Sequence, residues 1–332
     1  MSTFFMVGAE EKFETNRLLL LSKLIDWTRI GKLLKGIHKN DIAPQNGGQK
    51  PFDPLKMLKV VLLKEWHSLS DPETENAMRV RIDFMLFTGF DLAEDMPDET
   101  TICRFRNTLI RLGLDKKIFD MINAELERSG LKVQRASGAV IDATIIESAA
   151  RPRRVLCMEE DREETESAVH IEESVDKDAR WLKKGKRGYF GYKGFAVTDA
   201  DSGYIQGVKV EPANVSEVTR LEGMLEFVKA ERLYADKGYA SEANRDALKG
   251  KCKDGIMHKA VRGRGLSHWQ KLWNKLISKE RYIVEQCFGT LKRAFKFRRA
   301  SYMGCEKVEA QMRMKAICFN LLKGLRMVEL TT

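Results

Sequence analysis

The chain has 332 residues, 43% of them hydrophobic, which is enough to bury two compact domains or one large domain with an arm. Its 58 Lys and Arg against 48 Asp and Glu give a net charge of +10, which favours polyanionic partners but is weak by itself. The longest apolar run near the N-terminus, at 18–21, is too short to cross a bilayer, and the acidic residues before it are atypical of a signal peptide. We therefore expect a soluble cytoplasmic protein with no membrane partner.

Cysteine and histidine usage argues against two further classes of protein. The six cysteines are scattered without a C-x-x-C pair, and the five histidines are equally dispersed. A disulfide framework and a zinc knuckle both need closer spacing. We expect reduced, buried thiols.

The first 134 residues predict helices. Residues 1–50 form an arm, with an amphipathic segment from Glu14 to Leu34 and a polar link from Asn40 to Lys50. Residues 51–134 form a helical domain, in which Pro54 begins one helix and Ser70 caps the next. That second helix is predicted to carry Met78, Ile82, Met85 and Leu86.

A further helix in this domain contains Arg104, Phe105 and Arg106 after a Thr-Thr start. It could be a recognition helix that offers arginines to a DNA groove. It could equally be a surface helix with solvated arginines and a buried phenylalanine, and the sequence favours this second interpretation slightly.

Residues 135–332 predict an α/β domain. Strands are expected at 139–146, 192–198, 204–210, 233–236 and 255–261, with a hairpin turn at 199–203 and helices capped by Ser216 and Ser241. An antiparallel start followed by helix-linked parallel strands is the ribonuclease-H-like plan, a mixed five-stranded sheet with flanking helices.

An acidic insertion interrupts this domain at about 150–180. Ten carboxylates lie between Glu159 and Asp178, and four basic residues follow at 183–187. The composition indicates a solvated, flexible loop, and competition with DNA for a basic surface is a less favoured alternative.

Three acidic residues are candidates for catalysis. Asp142 and Asp236 are predicted near the carboxyl ends of strands, where ligands collect in α/β sheets, and Glu285 lies on a basic helix. If the three converge, they can hold two divalent cations for in-line attack at phosphorus, and in so basic a chain the obvious phosphodiester is nucleic acid. Taken singly, each aspartate could merely cap a turn, and Glu285 could merely pair with Arg281.

The helix around Glu285 favours convergence. Arg281 and Lys292 share the side of Glu285, whereas Val284, Phe288, Leu291 and Phe295 form an apolar stripe that can dock on a sheet.

Several motifs, in this order, resemble the DDE transposases of bacterial insertion sequences, and among them the group called insertion sequence five. They are VIDATIIES, DARWLKKGKRGYFGYKGF, EPANVSE, YADKGYAS and RYIVEQCFGTLKR, and the N-terminal motifs PFDPLKMLK, WHSLSDPE, IDFMLFTGF and PDETTICRFRN agree with the same family. The resemblance covers nearly the whole chain.

The resemblance implies a catalytic and metal-binding triad of Asp142, Asp236 and Glu285, separated by 236 − 142 = 94 and 285 − 236 = 49 positions. It implies two Mg²⁺ ions, with Mn²⁺ as a substitute, and cleavage at terminal inverted repeats followed by joining of the 3′-hydroxyl to target DNA. The expected partners are double-stranded DNA and a second copy of the chain, in the nucleoid of a bacterial cytoplasm. The resemblance also implies that the helical domain at 51–134 serves DNA binding or dimerisation. The expected DNA contacts are Arg281, Lys292, Arg293, Arg104 and Arg106. Ser278 stands where the family has a tyrosine, with Tyr282 out of register.

Three rival interpretations remain at this point. They are a nuclease of the same fold that acts on RNA–DNA hybrids or junctions, a catalytically silent DNA-binding protein derived from a transposase, and a metal phosphatase for small molecules. The last fits the basic helix poorly.

Overall fold

A computed structural model describes residues 4–38, 50–152, 155–159, 168–172 and 174–331. The described residues form two compact units, one within Met1–Ala136 and Arg313–Thr332 and the other within Ser137–Met312. The predicted link from Asn40 lies outside the described residues, except for Lys50. Among the described helices, none is both long enough and apolar enough to cross a membrane.

The first unit is helical, as predicted. Its helices are α1 (Phe4–Lys12), α2 (Arg17–Lys23), α3 (Trp27–Leu34), α4 (Pro54–His67), α5 (Asp71–Val80), α6 (Ile82–Thr88), α7 (Glu99–Arg111) and α8 (Leu114–Arg128). Capping explains their limits: Ser70 and Glu73 form a reciprocal capping box, and Asp98 accepts a hydrogen bond from the backbone of Thr101.

One predicted helix of this unit is in fact two. Arg81 takes an extended conformation, with φ −99° and ψ 109°, and so separates α5 from α6. Its guanidinium pairs with Asp83 in the first turn of α6 at 2.6 Å and lies 3.9 Å from the centre of the Phe84 ring. These contacts hold the corner, which a continuous helical periodicity could not reveal.

The second unit is built on a mixed sheet, as predicted. Its strands are β1 (Ala136–Glu147), β4 (Arg180–Lys184), β5 (Arg187–Asp199), β6 (Ile205–Pro212), β7 (Ala230–Ala235) and β8 (Lys253–Ile256). The order is β4-β5-β1-β7-β8, and β6 also pairs with β5. Strands β1, β4 and β6 run antiparallel to β5, whereas β7 and β8 are parallel.

The sheet differs from the prediction in two places. It has a sixth strand, β4, because the basic segment that follows the acidic insertion pairs with the start of β5. Strand β8 ends at Ile256 rather than 261, and an isolated bridge joins Val261 to Arg264.

The acidic insertion lies partly outside the described residues, at 153–154, 160–167 and 173. Its flanks form a two-stranded antiparallel ribbon of β2 (Val155–Glu159) and β3 (Ala168–Glu172), where a flexible loop was expected. Both flanks carry β-branched residues, which favour strands.

The helices of this unit are α9 (Leu221–Met224), α10 (Glu242–Leu248), α11 (His268–Arg293) and the start of α12 (Cys305–Thr331), whose residues from Arg313 belong to the first unit. The single helix predicted after Ser216 is instead α9 between two short 3₁₀ turns. Ser241 caps α10, as expected. The apolar stripe predicted on α11 is buried, including Phe295 just beyond its end.

Candidate active site

Asp142 lies in the middle of β1, opposite Ala196 of β5. The prediction of a position near the strand end is wrong, because β1 continues to Glu147. The Asp142 side chain is only 17% exposed, and its Oδ1 accepts a hydrogen bond from the backbone of Ala143 at 2.8 Å. Its second oxygen remains available for another partner.

Asp236 directly follows β7, as predicted, and begins a 3₁₀ turn at Lys237–Tyr239. Its Oδ1 accepts a hydrogen bond from the backbone of Lys237 at 2.6 Å. The side chain is 33% exposed, so this carboxylate faces solvent more than Asp142 does. Asp142 within β1 and Asp236 just after β7 thus come from neighbouring strands of the sheet.

Arg281 connects the two aspartates. Its guanidinium donates to Oδ2 of Asp142 at 2.7 Å, and its second terminal nitrogen lies 3.7 Å from Oδ1 of Asp236. The Arg281 side chain is 13% exposed. Two carboxylates therefore converge on one positive charge, which offsets the repulsion between them.

Glu285 lies one helical turn beyond Arg281 on α11 and is exposed. Burial disfavours the charged form of Arg281, but the negative charges of Asp142, Asp236 and Glu285 outweigh it and raise the pKa of Arg281 above its ordinary value. All three predicted acids thus act on a single guanidinium. Asp142 accepts a hydrogen bond from this guanidinium, and Asp236 forms an ion pair with it.

Within the described residues, no group of three or more His, Cys, Asp and Glu side chains is spaced to hold a metal ion. The donor chemistry nevertheless fits a divalent cation. Asp142 and Asp236 offer carboxylate oxygens toward one positive charge, and oxygen ligands are those that Mg²⁺ prefers. Glu285 would have to approach them to complete the set.

The segment 298–300 anchors α11 beside β1. The backbone N–H of Glu147, the last residue of β1, donates to the carbonyl of Arg298, and the N–H of Ala300 donates to the carbonyl of Glu147. The chain that leaves α11 therefore extends the sheet locally. This pairing places the helix that carries Arg281 and Glu285 next to the strand that carries Asp142.

Tyr239 is a buried residue that interacts electrostatically with these charges, and it is not among the predicted site residues. It is fully buried, and no described residue accepts or donates a hydrogen bond at its hydroxyl. Burial raises the pKa of Tyr239 well above its ordinary value, and the negative charges of Asp142 and Glu217 raise it further. Its place in YADKGYAS, three residues after Asp236, was the only signal in the sequence.

Glu217 was also missed, although it lies in the motif EPANVSE. Its carboxylate is 3.5 Å from the ammonium of Lys193, which donates to the carbonyl of Val215 at 2.8 Å. A Cβ at Gly238 would come within 2.7 Å of Oε2 of Glu217, so the Glu217 carboxylate lies directly against the backbone of this glycine. Glu217 therefore packs on the turn that follows Asp236.

Lys292 lies farther along α11 in a cationic cluster. Burial lowers the pKa of Lys292, and the positive charges of Lys184 and Arg298 lower it further, against the opposing charge of Glu147. An anion bound here would relieve this repulsion, and the phosphate contact of Lys292 stays a prediction.

The other predicted DNA contacts differ in exposure. Arg293 is exposed, and its Nε donates to the carbonyl of Gly289 at 3.3 Å. In the first unit, Arg104 is exposed on α7. Arg106, in contrast, is buried and donates to both oxygens of Asp71 at 3.0 Å, so its role as a DNA contact does not fit its position.

Ser278, at the position of the family's tyrosine, is exposed on α11. Tyr282 is also exposed, at 56%, and its hydroxyl accepts a hydrogen bond from Gln286 on the next turn. Neither residue contacts the two aspartates in any hydrogen bond that the structure shows for the described residues.

The chain matches two family models. Residues 134–321 match the model described as "Transposase DDE domain", and residues 7–108 match "Transposase domain (DUF772)". A relative from Neisseria meningitidis serogroup B, "Transposase for insertion sequence element IS1106", is 46% identical over 223 residues, which are 67% of this chain and 76% of the relative. No solved structure matches the chain significantly.

Proposed function

Because the chain belongs to the DDE transposases of insertion sequences, we propose that it cuts DNA at the terminal inverted repeats of its own element and joins the freed 3′-hydroxyl ends to target DNA. The observation that carries this proposal is the convergence of Asp142 and Asp236 on the guanidinium of Arg281, with Glu285 one turn further on.

Asp142, Asp236 and Glu285 would hold two Mg²⁺ ions, with Mn²⁺ as a substitute. When bound, such a pair lowers the pKa of the attacking hydroxyl or water and stabilises the leaving 3′-oxygen. Asp142 lies on β1, Asp236 directly follows the adjacent strand β7, and both already converge on Arg281, so two of the three ligands would be held near each other. Glu285 is exposed one helical turn beyond Arg281, and its side chain would have to turn toward the aspartates to complete the set.

The cationic residues have separate tasks. Arg281 neutralises the aspartates before cations and DNA arrive, and it can then turn its guanidinium to a phosphate beside the scissile bond. Lys292, within its cationic cluster, binds a second phosphate. We further propose that the helical first unit recognises the repeat, with Arg104 exposed on α7, and that two copies act together on the DNA.

The test uses DNA that carries the ends of the element, with and without MgCl₂. Asp142→Asn and Asp236→Asn should abolish cleavage, by a factor of at least about 100, while binding to the ends stays close to that of the wild type. Asp246→Asn is the matched control, because Asp246 is exposed on α10 and pairs only with Lys249 among the contacts shown. Cleavage by Asp142→Asn at the wild-type rate would overturn the assignment.

A joining assay distinguishes a transposase from a nuclease of the same fold. A labelled end with a free 3′-hydroxyl is incubated with a second duplex, and insertion products are resolved by gel. Insertion that requires Asp142 supports the proposal. Metal-dependent cutting without insertion would instead indicate a nuclease.

Lys292→Ala tests the phosphate contact. It should weaken DNA binding and reduce the slope of log K against log salt by up to about one unit. An unchanged slope would remove Lys292 from the DNA interface.

A further inference from the structure

A second cationic surface lies on the hairpin of β4 and β5, at residues 180–190, which we call the hairpin surface. Its basic side chains are all exposed and are Arg180, Lys183, Lys184, Lys186 and Arg187. Gly185 makes the turn with φ +62°, a conformation that other residues rarely adopt. No acidic residue occurs within 180–190, and no ion pair to a described carboxylate is shown for these five residues. The surface is therefore a concentrated positive charge.

Trp181 lies in the middle of this charge and is 48% exposed. Its ring centre is 5.4 Å from that of Phe190, which is its direct partner across the strands. A Cβ at Gly188 would come within 3.5 Å of the Trp181 ring, so the ring lies against the glycine backbone of β5. One side of the ring is thus supported by β5, and about half of the side chain is open to solvent.

Packing on Phe190 accounts for the inner side of the Trp181 ring. It does not account for an exposed indole whose charged neighbours in the hairpin are all cationic. Cations that follow a phosphate backbone, together with an aromatic ring on which a base can stack, are the two elements of single-strand recognition. A blunt duplex offers base faces only at its ends, whereas an unpaired strand offers one at every nucleotide.

The hairpin surface also extends toward α11. The positive charge of Lys184 acts on Lys292, and Arg298 contributes to the same cluster. Lys292 follows Glu285 by two helical turns on α11. A strand that leaves the carboxylates along α11 would therefore meet Lys292 and then the hairpin.

We infer that the hairpin surface binds single-stranded DNA, with an unpaired base stacked on Trp181 and the backbone phosphates on Lys183, which shares the face of Trp181, and on Lys186 in the turn. The inference rests on the proposed function in one respect, because strand cleavage at the ends of an element is what would supply unpaired nucleotides beside the active site. The binding itself needs no chemistry.

Binding is measured with the full chain carrying Asp142→Asn, in EDTA, so that no strand is cut. The probes are a fluorescent oligothymidylate and a blunt duplex of unrelated sequence. Trp181→Ala should weaken binding of the oligothymidylate about tenfold and leave the duplex nearly unaffected. Trp181→Phe should retain most of the affinity, because a phenyl ring can still stack. Trp269→Ala is the matched control, since Trp269 is 75% exposed on α11 in the same unit.

The charges are tested separately. The double variant Lys183→Ala/Lys186→Ala should bind the oligothymidylate with a smaller slope of log K against log salt. The reduction should be about 0.7 for each phosphate that is no longer neutralised. Lys249→Ala, at an exposed lysine that pairs with Asp246, should leave the slope unchanged.

Equal affinity of Trp181→Ala and its parent for the oligothymidylate, with both proteins shown to be folded by thermal melting, would overturn the inference. So would an equal loss of affinity for the two probes, which would indicate general electrostatics. If the wild type binds the single strand through Trp181 but never cuts its own ends, the proposed function fails and the hairpin site stands. If the wild type cuts its own ends but Trp181→Ala binds the single strand as tightly as its parent, the proposed function stands and the hairpin site fails.

Discussion

Arg281 donates a hydrogen bond to Asp142 across 139 positions of the sequence, at 2.7 Å. The same guanidinium lies within 3.7 Å of Asp236, so one side chain of α11 neutralises a carboxylate on β1 and another after β7. A cation that binds both aspartates would take over the position of this guanidinium. A divalent cation bound as we propose would therefore compete with Arg281 for the same oxygens.

This competition makes a prediction for Arg281→Ala. Without metal, the variant should be less stable than the wild type by about 2 kcal/mol, because the two aspartates lose their counter-charge in a partly buried site. Adding MgCl₂ should raise its melting temperature more than that of the wild type, since no guanidinium must be displaced. Thermal melting in EDTA and in MgCl₂ measures both effects. Arg293→Ala on the exposed side of α11 is the control, and an identical response of Arg281→Ala and wild type would contradict the competition.

Tyr239→Phe tests whether the buried hydroxyl is an unused polar group. No described residue bonds to it, so its removal should leave the free energy of unfolding unchanged or raise it by up to about 1 kcal/mol. Urea unfolding of wild type and variant gives the difference. A loss of stability of similar size would mean that the hydroxyl has a partner in solution, and a loss of cleavage at unchanged stability would instead give it a role at the site.

Arg106 and Arg104 of α7 should separate stability from DNA binding. Arg106 is bonded to Asp71, which also pairs with Lys64 at 2.5 Å, so Arg106→Ala should destabilise the helical unit by about 3 kcal/mol. Arg104→Ala should be neutral for stability and should weaken binding of the element's ends. Denaturant unfolding and end binding are compared for both variants. A stable Arg106→Ala with weakened DNA binding would reverse these roles.

Lys59 of α4 should give the first unit a pH-dependent stability. Burial lowers the pKa of Lys59 to about 8, against the opposing charge of Asp53, and its ammonium lies 5.0 Å from the Trp27 ring centre. The folded state therefore holds fewer protons than the unfolded state between about pH 8 and the ordinary lysine pKa of about 10.4, and stability from this group rises with pH in that window. The slope is at most about 1.4 kcal/mol per pH unit.

Lys59→Met should remove this contribution. Its advantage over the wild type in unfolding free energy, largest near neutral pH, should shrink as the pH rises from about 8 to 10. Urea unfolding at several pH values provides the comparison, and a constant difference between the two proteins across this range would show that Lys59 does not titrate there.

Local chemistry in the sequence was sufficient for most of the elements. Caps at Ser70 and Ser241 and the β-branched run of β1 predict structure because each acts over a few residues. The corner at Arg81 and the short helix α9 were not predictable in this way. They depend on contacts that interrupt a periodic pattern without changing its composition.

The sequence by itself determined the family, the mixed α/β class and the three acids as candidates, because motif order, periodicity and composition are properties of the chain alone. Only the tertiary structure decided what the cations do. Arg106 pairs with Asp71, and Arg281 pairs with Asp142 and Asp236. The basic segment after the acidic insertion is an edge strand with an exposed indole. The sequence shows which residues are charged but not which residues they pair with, because the partner of a long flexible side chain depends on the elements that the fold brings beside it.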